Sequence, residues 1–265
     1  MICLDKFEEI HRGERCWIMG NGPSLREMNL DLLDGEIVFA SNSVFLLFPQ
    51  IKWRPKYYSC VDTRVLPDTI VEITEMLQDN PGMQGFFPEE LPQYDGSGQT
   101  IQTSSLFPPL ENIQLFKQRP MIKKQLPSSA FTIGAGAVLC SPKTVTIALM
   151  QIAVIMGFSD IYLFGCDTSY TIPDSVLQSG RAVHGKPGEK LLLTSTLNDD
   201  PNHFTANYFG AGKKWHHPKT DQMIRHYTLA KEVLDSAGVA VFNATVGGKL
   251  DVFPRIDYRE VLLSE

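Results

Sequence analysis

The chain has 265 residues, 43% hydrophobic and 20% charged, the make-up of an ordinary globular protein long enough for one sizeable core. Its net charge of −6 argues against a nucleic-acid partner, which would want a basic stripe against phosphates, while leaving room for a local pocket for a small anion. No apolar run is long enough to cross a bilayer, so no transmembrane segment is expected.

Residues 1–15 are mixed and acidic, unlike a signal peptide. The first expected strand, 16–19, breaks into Gly20-Asn21-Gly22-Pro23-Ser24-Leu25 and then into what reads as a helix. Such a junction commonly holds an anion, because the first N–H groups of a helix lack internal partners and carry partial positive charge. Neither familiar phosphate grip fits. A dinucleotide fingerprint needs a third glycine where Leu25 stands and an acidic residue where the second strand offers Asn42, and a Walker loop needs a lysine that is missing.

Further strands are expected at 37–40 and 57–61, then a helix at about 68–78. Residues 88–127, rich in Pro, Gln, Ser and Gly, read as an irregular excursion that could serve a homo-oligomer interface. A buried helix is expected at 143–156 and a strand at 161–164. Residues 168–217 lack clean periodicity and read as a lid. A helix at 218–237 follows, with Met223, Tyr227, Ala230 and Leu234 on one face and Gly238 as its stop, and then a strand at 239–242. This alternation predicts one α/β domain over 1–265, a Rossmann-like, mostly parallel sheet flanked by helices, with the lid segment over the carboxyl edge of the strands. Cys3, Cys16, Cys60, Cys140 and Cys166 make no C-x-x-C pair and read as reduced thiols, which with the missing leader predicts a cytoplasmic protein.

Four expected strands run into a short polar residue: Asn42, Asp62, Asp167 and Asn243. Singly, such residues start turns or cap helices. Together on one sheet edge they favour a nucleotide site, since the crevice of an open parallel sheet lies beyond the carboxyl ends of its strands. The stretch DPNHFTANYFGAGKKWHHPKTD gathers His203, His216 and His217 with Tyr208, Lys213 and Lys214, a supply of proton-transfer and phosphate-stabilising groups. No zinc set is expected there, because adjacent His216 and His217 point apart and no Glu or Cys completes the ligands.

The motifs MGNGPSL, the strand ending Ser41-Asn42, VTIALMQIAVIMGFSDIYLFGCDTSY, WHHPKTD and VFNATVGGKL resemble those of the bacterial CMP-sialic-acid-dependent sialyltransferases. PNHFTANYFG, IYLFGCDTSY and NATVGGKLDVFPR are similar to a broader bacterial group that includes the flagellin motility accessory factors and is often labelled pterin-pyrophosphokinase-like. The resemblance implies a metal-independent, inverting transfer of an acidic, nonulosonic sugar from a CMP donor to a glycan or protein acceptor, with no further cofactor. It implies that Asn21, Gly22 and Ser24 lie near the donor phosphate and sugar and that Asn42 meets the nucleotide, with Asp167 and Asn243 on the same edge. Asp62 stands where the sialyltransferases have asparagine. Gly134, Ala135 and Gly136 match a donor-binding loop that reads Thr-Ser-Gly in that family. His216 aligns with the general base, His217 is its fallback, and Tyr170 lies one position beyond a tyrosine supporting the departing phosphate. Two alternatives stand beside this reading. One is a diphosphotransferase moving pyrophosphate from ATP to a hydroxymethylpterin, with Mg²⁺ held by Asp62 and Asp167. The other is a non-catalytic nucleotide-sugar-binding protein on the same fold.

Overall fold

Seven strands build one wholly parallel sheet, and every strand predicted from the sequence is in it. The computed structural model describes residues 4–92, 99–119, 130–134, 138–179 and 192–264. Its strands are β1 (Arg15–Met19), β2 (Val38–Ser41), β3 (Tyr57–Ser59), β4 (Gln84–Pro88), β5 (Glu90–Pro92), β6 (Thr100–Gln102), β7 (Ile113–Phe116), β8 (Gln118–Arg119), β9 (Leu139–Cys140), β10 (Asp160–Phe164), β11 (Leu177–Ser179), β12 (Leu192–Thr194), β13 (Lys214–His216) and β14 (Ala240–Asn243). Its α-helices are α1 (Val65–Asp68), α2 (Ile70–Asp79), α3 (Val145–Ile155), α4 (Thr220–Ser236) and α5 (Tyr258–Leu262).

The central order is β14-β10-β1-β2-β3-β4-β7. From β1 the chain builds outward through β2, β3, β4 and β7, then crosses back to β10 and β14 on the other side. Strand order therefore reverses between β1 and β10, which pair from Arg15–Asp160 to Met19–Phe164. That reversal opens a crevice at the carboxyl ends of the two strands.

Both faces of the sheet are covered, so its strands are apolar throughout instead of alternating. Cys16 and Ile18 of β1 face one core with Phe39, Tyr57, Ile161 and Leu163, against α3 and the Tyr227, Ala230 and Leu234 face of α4. Trp17 and Met19 face a second core with Val38, Ala40, Tyr58 and Phe164, against α2 and short 3₁₀ turns. Helix α3 runs beneath β1, β2 and β3 and is buried from Thr146 to Ala153. A Leu149→Ala change there would cost about 2–5 kcal/mol. Gly157, at φ +90°, ends that helix and turns the chain into β10.

Two expectations are corrected. The segment 88–127 is not irregular in its described part, because β5 and β6 pair as an antiparallel ribbon and the edge strand β7 extends the central sheet beside β4, which the sequence reading also missed. Their brevity and the flanking Gly and Pro hid the pattern in sequence. In its described part the segment 168–217 holds an antiparallel sheet, β11-β12-β13, and a buried stretch around His203 and Tyr208.

Candidate functional site

The glycine loop after β1 and the Gly165-Cys166-Asp167 loop after β10 are laced together. The Gly20 N–H donates to the Phe164 carbonyl at 2.7 Å and the Gly22 N–H to the Gly165 carbonyl at 2.9 Å. A Cβ on Gly20 would lie 2.4 Å from the Gly165 carbonyl oxygen, and one on Gly22 only 1.7 Å from Asp167 Oδ2. The glycines are thus required by a neighbouring loop of the protein itself. Pro23–Glu27 is a single 3₁₀ turn where the sequence reads as a helix. Its leading donors are already occupied: Ser24 Oγ–H donates to Asp167 Oδ2 at 2.7 Å and Ser24 N–H to Oδ1 at 3.3 Å. The anion held by this junction is the carboxylate of Asp167. Burial raises that carboxyl above its ordinary range, and the Ser24 hydrogen bonds oppose the rise.

A cavity opens beside this pair of loops, at the strand reversal. Asn21, Gly22, Asn42, Asp167 and Tyr170 line it, joined by Thr144 and Thr146 from the start of α3 and by His203 and Tyr208 from the 168–217 segment. The Asn21 amide donates to Ser41 O and Oγ. Its Oδ1, and the Oδ1 of Asn42, are buried and without a hydrogen-bond partner among the described residues. Asn42 and Thr168 both adopt the left-handed region, at φ +51°. For the β-branched Thr168 that conformation costs on the order of 1 kcal/mol, a strain that tends to concentrate at functional sites.

The start of α3 supplies what the glycine loop does not. Thr144, its N-cap residue, makes no side-chain cap; Ile147 N–H bonds the Thr144 carbonyl, and Val145 and Thr146, whose N–H groups a helix leaves without internal partners, line the cavity. An 11-residue helix gives this end partial positive charge. Thr144 and Thr146 were missed in the sequence. Their signal was a Thr-Val-Thr triplet opening an apolar helix, whereas the family resemblance pointed to Gly134, Ala135 and Gly136. Gly134 is exposed and outside the cavity wall, and Ala135 and Gly136 lie outside the described residues.

Asn202, His203 and Tyr208 form a second wall, and Asp200 stands behind it. Asp200 Oδ2 meets His203 Nδ1 at 2.8 Å and accepts the Phe209 N–H, while Oδ1 accepts the Asn202 N–H. Burial alone would raise Asp200, but these bonds hold its carboxyl below the usual range. The stretch is fastened to the glycine loop: Phe204 N–H donates to Asn21 O, and the Arg26 guanidinium donates to His203 O and Phe204 O.

His216 and Asp62 are brought together elsewhere on the same sheet edge. Asp62 follows β3, and its Oδ1 accepts the N–H groups of Arg64 and Val65, fixing the start of α1. Its Oδ2 lies 3.5 Å from Nδ1 of His216, the last residue of β13. Burial would raise Asp62, yet His216 and the two backbone donors overcome it and hold the carboxyl at about 2. His217 points away and hydrogen-bonds the Pro218 carbonyl through Nδ1 at 2.8 Å. Asn243 is buried and engaged within the fold, donating to Leu250 O and accepting from Thr245 N–H, so it does not open to the cavity.

Fold and site together define an α/β protein with a polar cavity at its topological switch point. No protein-family model matches the chain, and no curated protein matches it in sequence. Among solved structures the chain is similar to the MAf glycosyltransferase from Magnetospirillum magneticum AMB-1, at 13% identity and TM-score 0.48, over 97% of this chain and 37% of that one. It therefore spans little more than a third of that protein's length. It is also similar to the sialyltransferase CstII from Campylobacter jejuni in complex with the substrate analogue CMP-3FNeuAc, at 13% identity and TM-score 0.42, over 92% of this chain and 86% of that one. A second CstII structure, with cytidine-5'-monophosphate, gives 13% identity and TM-score 0.41. Likeness at this level says nothing of substrate.

Proposed function

We propose that the protein is a glycosyltransferase that moves an acidic, nonulosonic sugar from a CMP donor to an acceptor hydroxyl on a glycan or protein. The observation that carries the reading is the pair of buried, unpartnered acceptors Asn21 Oδ1 and Asn42 Oδ1 at the strand reversal. Leaving such atoms unmet costs on the order of 1–3 kcal/mol each, and a ligand with hydroxyl or amino donors removes that penalty. Ribose hydroxyls and the cytosine amine are donors of this kind. The donor phosphate belongs at the α3 start, within reach of Tyr170 on the same wall.

In this reading His216, oriented through Nδ1 by Asp62, takes the acceptor proton at Nε2. The acceptor oxygen forms a bond to the anomeric carbon as the bond from that carbon to the phosphate oxygen breaks. The electron pair goes to the phosphate, CMP departs, and the anomeric centre inverts.

The diphosphotransferase alternative needs carboxylates to bridge Mg²⁺. Its candidates are already occupied, Asp167 by Ser24 and Asp62 by α1 and His216, so it ranks second. Thermal-shift titration separates the two. CMP is expected to raise Tm, by the equivalent of about 2.7 kcal/mol at a hundred times Kd, and ATP with Mg²⁺ is expected not to. A shift with ATP–Mg²⁺ alone would overturn the proposal. CMP binding without turnover against any CMP-sugar and acceptor would favour the non-catalytic alternative.

A further inference from the structure

Three buried histidines in this protein allow an internal comparison. His11 is satisfied at both ring nitrogens, by Glu14 and by the Tyr57 hydroxyl. His226 is likewise satisfied, accepting the Lys143 N–H at Nδ1 and donating to Ala130 O at Nε2. These are core histidines. His203 is as buried, at 7% exposure, but only its Nδ1 is engaged, on Asp200, and no described residue pairs with Nε2.

The ring is held as a rigid plate. It lies flat on Tyr208 at 3.9 Å between centroids with a 2° interplanar angle, against the edge of Phe209, and Tyr170 stands edge-on to it at 6.2 Å. The Asp200 carboxylate beneath it is itself fixed by two backbone N–H groups. With Nδ1–H directed to Asp200, Nε2 is the nitrogen left for a ligand.

The composition of the wall decides what such a group is for. Among the described residues the cavity lining contains no lysine or arginine, and its one carboxylate, Asp167, already accepts two hydrogen bonds from Ser24. Among the described lining residues His203 is the one side chain able to carry positive charge. It lines the same cavity as Thr144 and Thr146 at the positive end of α3.

We propose that His203, clamped by Asp200, is the phosphate-binding residue of this cavity, donating from Nε2 to a phosphate oxygen of the nucleotide donor. This deepens the glycosyl-transfer reading and rests on it for the identity of the nucleotide. The imidazolium stabilises the phosphate as it receives the electron pair of the breaking bond to the anomeric carbon, and no proton need leave the ring. The acceptor proton still goes to His216.

Calorimetric titration of the wild type, His203→Gln and Asp200→Asn with CMP, cytidine and inorganic pyrophosphate tests this. His203→Gln is expected to weaken CMP and pyrophosphate by about tenfold or more and to leave cytidine unchanged, because only the charged hydrogen bond is lost. Asp200→Asn is expected to act in the same direction by a smaller factor. Unchanged CMP affinity, or an equal loss for cytidine, would overturn the proposal. Should the variants fail to fold, the imidazole ¹⁵N signals of the wild type decide, since the Nε2 signal of His203 is expected to move with CMP and pyrophosphate and to stay still with cytidine. Wild-type binding of pyrophosphate but not CMP would remove the CMP-donor reading and leave the pyrophosphate arm to judge His203. Binding of neither would overturn both.

Discussion

Asp167 and Ser24, 143 residues apart, are joined by two hydrogen bonds that lock the carboxyl ends of β1 and β10 together. This contact fills the anion position that the glycine loop would otherwise offer, and it sets the floor of the cavity. Asp167→Ala is expected to lower unfolding free energy by about 2 kcal/mol, as for a hydrogen bond to a charged group. Ser24→Ala is expected to cost less, and the double variant less than the sum, in urea unfolding of all three.

The two loops also approach too closely for a side chain. Gly22→Ala is expected to destabilise by about 1–3 kcal/mol, because the new Cβ meets the Asp167 carboxylate and the Gly165 carbonyl at 2.7 Å or less. Gly134→Ala provides the contrast. Its Cβ would meet nothing within 4 Å, and a change within about 0.5 kcal/mol is expected. Equal urea midpoints for the two variants would refute the close-approach explanation.

The Asp62–His216 pair predicts both an activity loss and an acid limb. His216→Ala is expected to reduce kcat about 10²–10⁴-fold with CMP affinity retained, and Asp62→Asn to reduce it less. The folded Asp62 carboxyl titrates at about 2, below its ordinary 3.8. Its contribution to stability is thus complete above the unfolded value and disappears as pH falls through the folded one. Stability measured between about pH 4 and 2 is expected to fall more steeply in the wild type than in Asp62→Asn.

His226 gives a second limb of different origin. Burial lowers its pKa below the ordinary 6.5, and the neutral ring bridges Lys143 N–H and Ala130 O. Protonating Nδ1 would set two N–H groups against each other just before the cavity wall at Thr144. The unfolded chain therefore takes up the proton first, so stability is full above the unfolded value and declines as pH drops below it until the folded group also titrates. That slope, read from urea midpoints between about pH 7 and 5, is expected to be absent in His226→Leu.

Much of the sheet was legible because its strands are short apolar runs punctuated by turn residues. Helix α4 was legible because Tyr227, Ala230 and Leu234 recur at helical spacing and are indeed buried. Asn21 and Asn42 could be singled out because strand ends in a parallel sheet face one edge. Strands β4 and β7 were hidden, since Gln84–Pro88 and Ile113–Phe116 are too short and too interrupted to show a period.

The amino-acid sequence by itself determined the α/β alternation, the position of the strand ends and the residue types gathered there, because periodicity and turn chemistry are local. Only the tertiary structure decided which of those residues face a ligand. Whether Asp167 binds a substrate or Ser24, whether Asn243 opens to the cavity or closes on Leu250, and which histidine keeps a ring nitrogen in reserve all depend on partners far away in the chain. A polar side chain is defined by what satisfies it, and that partner is chosen by packing.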